Sequence, residues 1–263
     1  MARVETLTSL ANPLLKQVRR AVQRGGLTRD GCCVAETFHL LEEALRSQCD
    51  IRAVLAAESV RSSVEGRLGG LSNPRLYVLS DHLFETIATT ETSQGVITLL
   101  RPPAWALAQV FQGQSLVVVL DGLQDPGNAG AILRAAEAFG ATGVLALKGT
   151  VNLYNPKAVR ASAGSIFRVP VVCGLEEAQA LAALQQQRLE LYAATPGGKP
   201  RLTDVDLTRR CAFIIGSEGR GIRERLRSAA TELSIPTTGV ESLNAAIAAA
   251  ILLYEARRQR TMP

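Results

Sequence analysis

The feature that most restricts the fold is a rhythm that begins at residue 115. Leu116–Leu120 (LVVVL) leads into a helical stretch over 129–139, GVLAL at 143–147 into a loop and a short helix near 156–163, and VPVV at 169–172 into a helix over 176–187. LELYAAT follows at 189–195, then CAFIIG at 211–216 with a helix over 221–229, ELSIP at 232–236 and a long terminal helix over 243–258. Near-continuous apolar strands alternating with helices predict a parallel sheet covered on both faces. Ligands in such sheets sit at the carboxyl ends of the strands.

The N-terminal part reads as a smaller α/β region. TFHLLEEALRS (37–47) is amphipathic, and Ile51–Ala56, Leu76–Leu79 and Gly95–Leu100 have strand patterns. Arg101-Pro102-Pro103 and the Gln/Gly-containing stretch 109–115 interrupt this pattern. The expected domains are therefore 1–100, a linker over 101–115, and 116–263.

Three marked loops belong to the second region: the one within Leu120–Gly140, Ile214–Ile222 (IIGSEGRGI) and Ser234–Asn244 (SIPTTGVESLN). Together they predict one shared site lined by backbone groups. Its polar candidates are Asn128, Arg134, Glu218, Ser242 and Asn244. Asn128 and Ser242 can each be explained as a helix cap. Glu218 has no structural need to stand between glycines. Arg134 lies near the start of a helix of small residues, where the helix dipole disfavours a cation, which suggests that it serves an anion or a partner. The loops do not spell G-x-G-x-x-G or a P-loop, which argues against a nicotinamide-dependent oxidoreductase.

Composition narrows the class. The net charge is +5, with 25 Arg against 4 Lys, which fits either arginine-rich codon usage or phosphate binding. Residues 1–31 carry six basic against two acidic side chains, a basic arm whose Arg19, Arg20 and Arg24 are candidates for RNA contact. Five cysteines without C-x-x-C spacing read as reduced thiols, and two histidines argue against a metal centre. No N-terminal apolar segment marks a signal peptide, and the longest apolar run, Ala245–Tyr254, is far short of the roughly 20 residues that span a bilayer. A soluble cytoplasmic protein without metal or membrane attachment is expected.

Four ordered blocks carry a resemblance: LDGLQDPGNAGAILRAAEAFGATGV, NPKAVRASAGSIFRVPV, IIGSEGRGI and IPTTGVESLNAAIAAAILLYE. They resemble the signature motifs of the SpoU/TrmH family, within the SPOUT class of S-adenosylmethionine-dependent RNA methyltransferases. AETFHLLEEAL and TTETSQGVITLL are similar, more loosely, to that family's substrate-binding module. The resemblance implies a C-terminal domain with a deep trefoil knot, a homodimer with active sites at its interface, and ribose 2′-O-methylation of RNA, 23S ribosomal RNA first. A tRNA substrate or a non-catalytic RNA-binding or ribosome-assembly factor are the alternatives. It implies that Thr195, Gly197, Gly216, Ile235 and Leu243 hold the methyl donor. It also implies that Arg134 acts on the ribose, with Asn128, Glu218, Ser242 and Asn244 around it. Two departures stand out: Thr37 where the family commonly has glycine, and Ala245-Ala246 where Val-Ser is usual.

Overall fold

The computed structural model describes residues 3–70 and 74–261. By its contacts the chain divides into two units, Met1–Pro103 with Asn152–Phe167, and Ala104–Val151 with Arg168–Pro263. The segment 152–167, expected with the second region, is thus grouped with the first.

The first unit contains β1 (Arg3–Leu7), α1 (Pro13–Arg24), β2 (Cys33–Glu36), α2 (Phe38–Arg46), β3 (Asp50–Ala57), α3 (Arg61–Leu68), β4 (Arg75–Leu79), α4 (Asp81–Glu85) and β5 (Val96–Arg101). Its sheet runs β1-β4-β3-β5-β2, with β1, β4 and β3 parallel and β5 antiparallel to both neighbours. The basic arm is not a loose tail. It opens as an edge strand whose only buried residue is Leu7, held by its register on β4. It continues as α1, which the Asn12 side chain caps at Leu14 N and Pro13 starts, while Leu15, Val18 and Ala21 face the core.

A buried carboxylate on β2 holds the turn before β5. Glu36 is 2% exposed. It accepts from Thr89 N (2.6 Å), Ser93 Oγ (2.6 Å), Thr90 Oγ1 (3.1 Å) and the Thr89 hydroxyl. A buried carboxylate needs several donors, and the hydroxyl-rich TTETS turn supplies them. Beside it, Thr37 sits at φ 132°, ψ 155°, a conformation that costs any residue but glycine.

The second unit contains α5 (Leu107–Val110), β6 (Leu116–Asp121), α6 (Pro126–Ala138) and β7 (Gly143–Leu147). The chain then contributes α7 (Pro156–Ala161) to the first unit, where it packs on β2. It returns as β8 (Val171–Leu175), α8 (Glu177–Gln186), β9 (Glu190–Ala194), β10 (Cys211–Gly216), α9 (Glu224–Ser228), β11 (Thr231–Leu233) and α10 (Ala245–Thr261). The sheet order is β11-β9-β10-β6-β7-β8 and every pair is parallel, as the apolar runs predict. All six residues of β6 are buried. Val119, Leu145 and Ile214 join Ala180, Leu181 and Leu184 of α8 in one core.

Chain order reverses beside β6. Strands β6, β7 and β8 step outward in one direction, whereas β10 inserts between β9 and β6. Such a reversal leaves a crevice over the strand ends. Among the described residues no helix is long and apolar enough to cross a membrane.

Candidate active site

The crevice is real. A cavity of about 420 Å³ lies over the carboxyl ends of β9, β10 and β11, and the loops that leave these strands line it. Thr195, Gly216, Ile235 and Leu243 line it, as do Glu218, Ser242 and Asn244. Apolar walls come from Ile215, Ile222 and Leu233.

Gly216 is required by a close backbone approach. A Cβ there would fall 2.4 Å from the carbonyl carbon of Gly221, because Ser217 and Gly221 exchange backbone hydrogen bonds across a tight turn. That turn also delays the next helix, which begins at Glu224 and not at 221. Gly197 does not line the cavity and has open space around it. Its neighbour Gly198 is the constrained one, with a Cβ placed 2.7 Å from Leu233 N. Thr195 donates its hydroxyl to Glu232 at 3.0 Å. Arg227's hydrogen bonds hold the Glu232 carboxyl below its ordinary range, with the Thr195 bond adding to the effect.

Three of the candidate polar residues, Asn244, Asn128 and Glu218, form a chain with a fixed direction. Asn244 Oδ1 accepts from Ala246 N (2.9 Å) and Ile247 N (3.2 Å), so Asn244 caps α10. Its Nδ2 must therefore point outward, and it donates to Asn128 Oδ1 at 3.0 Å. Asn128 Nδ2 in turn donates to Glu218 Oε1 at 2.5 Å. Three loops distant in sequence are joined by two side-chain bonds, and the last acceptor has to be the carboxylate. This explains Glu218 between its glycines.

The cap assignments differ from the sequence reading. Asp125, not Asn128, caps α6 by accepting from Asn128 N at 2.8 Å. Asn244, not Ser242, caps α10. Neither Asn128 nor Ser242 is thus needed as a cap, and the Asn128 side chain instead joins Asn244 to Glu218. The Ala245-Ala246 departure leaves the cap intact, since Asn244 binds backbone amides there.

Arg134 is exposed on α6, outside the lining of the cavity, with Ala131 and Ala138 exposed on the same helix. The sequence reading missed Asp121. This residue ends β6, is 2% exposed, and accepts from Arg223 N (2.7 Å) and Arg223 Nε (2.5 Å). It ties the far end of the 217–222 turn to the sheet, and the only hint in the sequence was its place directly after the apolar run Leu116–Leu120.

In the first unit, Arg20 and Arg24 line a groove of about 430 Å³ with Lys16, Gln17, Thr28 and Arg29. Arg19 is exposed on α1 but outside that lining. Burial pushes the Cys211 thiol up to about 11 and raises that of Cys32, so neither is a nucleophile at neutral pH. Among the described residues no group of three or more His, Cys, Asp or Glu side chains could hold a metal ion.

Comparison with known proteins bears on this geometry. Residues 115–254 match the SpoU rRNA Methylase family, and residues 12–98 match an MRM3-like substrate binding domain. An uncharacterised tRNA/rRNA methyltransferase of Synechocystis is 34% identical, over 98% of this chain and 95% of its own length. The 23S rRNA (guanosine(2553)-2′-O)-methyltransferase RlmP of Bacillus subtilis is 30% identical, over 97% of this chain and all of its own. The AdoMet-bound rRNA methyltransferase of Sinorhizobium meliloti superposes with a TM-score of 0.84 at 26% identity, covering 97% of this chain and 98% of that one. With one model spanning the cavity loops and relatives matched nearly end to end, the chain belongs to the SpoU rRNA methylase family.

Proposed function

We propose that the protein transfers the methyl group of S-adenosylmethionine to a ribose 2′-hydroxyl of RNA, with large-subunit ribosomal RNA as substrate. The observation that carries this reading is the cavity itself. It has apolar walls suited to a nucleoside, a glycine turn pressed close to its floor, and acidic but no basic side chains in its lining. That donor set fits a cationic nucleoside and repels a nucleotide phosphate. When bound, S-adenosylmethionine supplies an electrophilic methyl group on a sulfonium.

The residues divide the remaining work. Thr195, Gly216, Ile235 and Leu243 hold the donor, with Gly197 at the mouth of the same loop. The Asn244–Asn128–Glu218 chain locks the three loops in register, and Ser242 offers a hydroxyl that has no side-chain partner among the described residues. Arg134 binds the RNA phosphate beside the target ribose and orients the hydroxyl; a guanidinium with its pKa above about 12 is a poor base. Arg20 and Arg24, with Lys16 and Arg29, hold RNA backbone, and Arg19 adds to the local field.

The reading includes a homodimer and the cytoplasm as its place of action. Ile247 and Tyr254 stand seven positions apart on α10 and are 54% and 55% exposed, an apolar stripe suited to a second copy. A partner there would complete a site that Arg134 does not enter within its own chain. The trefoil knot that goes with the family would involve the loops after β9, β10 and β11. The names of the relatives favour a guanosine of 23S rRNA over tRNA. Calorimetry with S-adenosylmethionine, followed by methyl transfer to ribosomal RNA stripped of 2′-O-methyl groups, tests the proposal. Donor binding without any transfer would favour a non-catalytic assembly factor.

A further inference from the structure

Two charged side chains line the cavity, Glu218 and Glu241, and both are acids. Their circumstances differ. Glu218 is engaged, since its carboxylate accepts the Asn128 amide. Glu241 makes no hydrogen bond or ion pair among the described residues. Its loop is nevertheless shaped. Gly239 takes φ 78°, and Thr237 Oγ1 donates to Val240 O at 3.1 Å, closing a turn that sets Glu241 beside Ser242 at the cavity wall. No cap, strand or core contact asks for a carboxylate at this position.

Methyl transfer changes the charge of what the cavity holds. The sulfur–methyl bond breaks with its electron pair left on sulfur, the ribose oxygen bonds the methyl carbon, and the hydroxyl proton leaves to water. The donor's sulfonium charge is thereby lost, and the product is a neutral thioether. The ammonium and carboxylate of its amino-acid part are unchanged. A site that measures the sulfonium charge can therefore hold the donor and release the product.

Resting on the donor reading above, we propose that Glu241 is the residue that gives the cavity its preference for the sulfonium donor over the thioether product. A free carboxylate facing a unit positive charge across a half-solvated cavity is worth about threefold to tenfold in affinity. The neutral thioether gains none of this. Glu218 also carries a negative charge, but its carboxylate is tethered to the neutral Asn128 amide, whereas Glu241 is free to turn toward the sulfonium.

The test is titration calorimetry of the full-length protein with S-adenosylmethionine and, separately, S-adenosylhomocysteine. Glu241→Gln is expected to weaken donor binding about threefold to tenfold and to change product binding less than twofold. Glu241→Lys, which reverses the charge, is expected to weaken the donor further while leaving the product nearly unaffected. Equal losses for donor and product in Glu241→Gln would overturn the proposal and make Glu241 a partner of the shared ammonium. Unchanged affinities for both would overturn it too and leave Glu241 a solvated acid. Absence of donor binding by the unaltered protein is a separate result: it removes the methyl-donor reading, and this inference falls with it.

Discussion

Thr37 holds a backbone conformation that belongs to glycine, with φ at 132°. Its hydroxyl recovers part of the cost by accepting from Leu40 N at 3.1 Å as the cap of α2. Thr37→Gly exchanges that cap, worth a few tenths of a kcal/mol relative to glycine, for relief of strain of about 1–3 kcal/mol. Greater chain entropy in the unfolded state takes back roughly 1 kcal/mol. A net gain of about 1 kcal/mol is expected, read as a rise in the denaturant midpoint at constant slope. Arg134 belongs to the same scale. Arg134→Ala should abolish methyl transfer and leave the calorimetric affinity for S-adenosylmethionine within about twofold, since its side chain stays outside the cavity lining. Undiminished turnover would end its catalytic role. Asn128 and Ser242 show why a sequence is ambiguous at single residues. A short polar side chain before a helix suits a cap or a site equally well, and only the structure shows Asp125 and Asn244 occupying the caps.

Among the elements, the 217–222 turn depends on contacts that its own sequence does not announce. Asp121 anchors its exit through both the backbone amide and the guanidinium of Arg223. Because the Asp121 side chain is 1% exposed while that of Arg223 is 40% exposed, Asp121→Asn is expected to cost about 1–3 kcal/mol of stability. It should also weaken donor binding, since Ser217, Glu218, Gly221 and Ile222 line the cavity from this turn. An unchanged donor affinity in a folded Asp121→Asn protein would show that the turn holds itself. Helix α1 separates two classes of arginine one position apart. Replacing Arg20 and Arg24 by alanine should reduce the salt dependence of RNA binding by about one to two in log–log slope. Arg19→Ala should change it less, because Arg19 stands outside the groove. The inner strands of the second unit, β6, β7 and β10, were legible because each is a dense apolar run buried on both faces. Strand β1 was not legible. Four of its five residues are exposed, and pairing with β4 alone makes it a strand. The short α9 was expected to start three residues too early, because the Ser217–Gly221 exchange and the Asp121 anchor lie outside local periodicity.

At the scale of the whole molecule, the proposed homodimer rests on the apolar stripe of α10. Tyr254 meets Phe139 edge-on at 5.8 Å, yet 55% of it stays exposed, as does 54% of Ile247. Ile247→Asp is expected to shift the protein to single chains of 28.0 kDa in light scattering and to abolish methyl transfer with it. A dimer that survives this change would place the interface elsewhere. Composition and motif order made the class of molecule readable, but they did not reveal that the chain between β7 and β8 leaves its own sheet's unit. Residues 152–167 are grouped with the N-terminal unit, where α7 packs on β2 and Gly164 lies so close to Glu43 that a Cβ would fall 2.7 Å from its side chain. This has a consequence for biosynthesis. A nascent chain that has emerged only as far as Pro103 lacks part of its first unit, and must wait for Phe167 before that unit is whole.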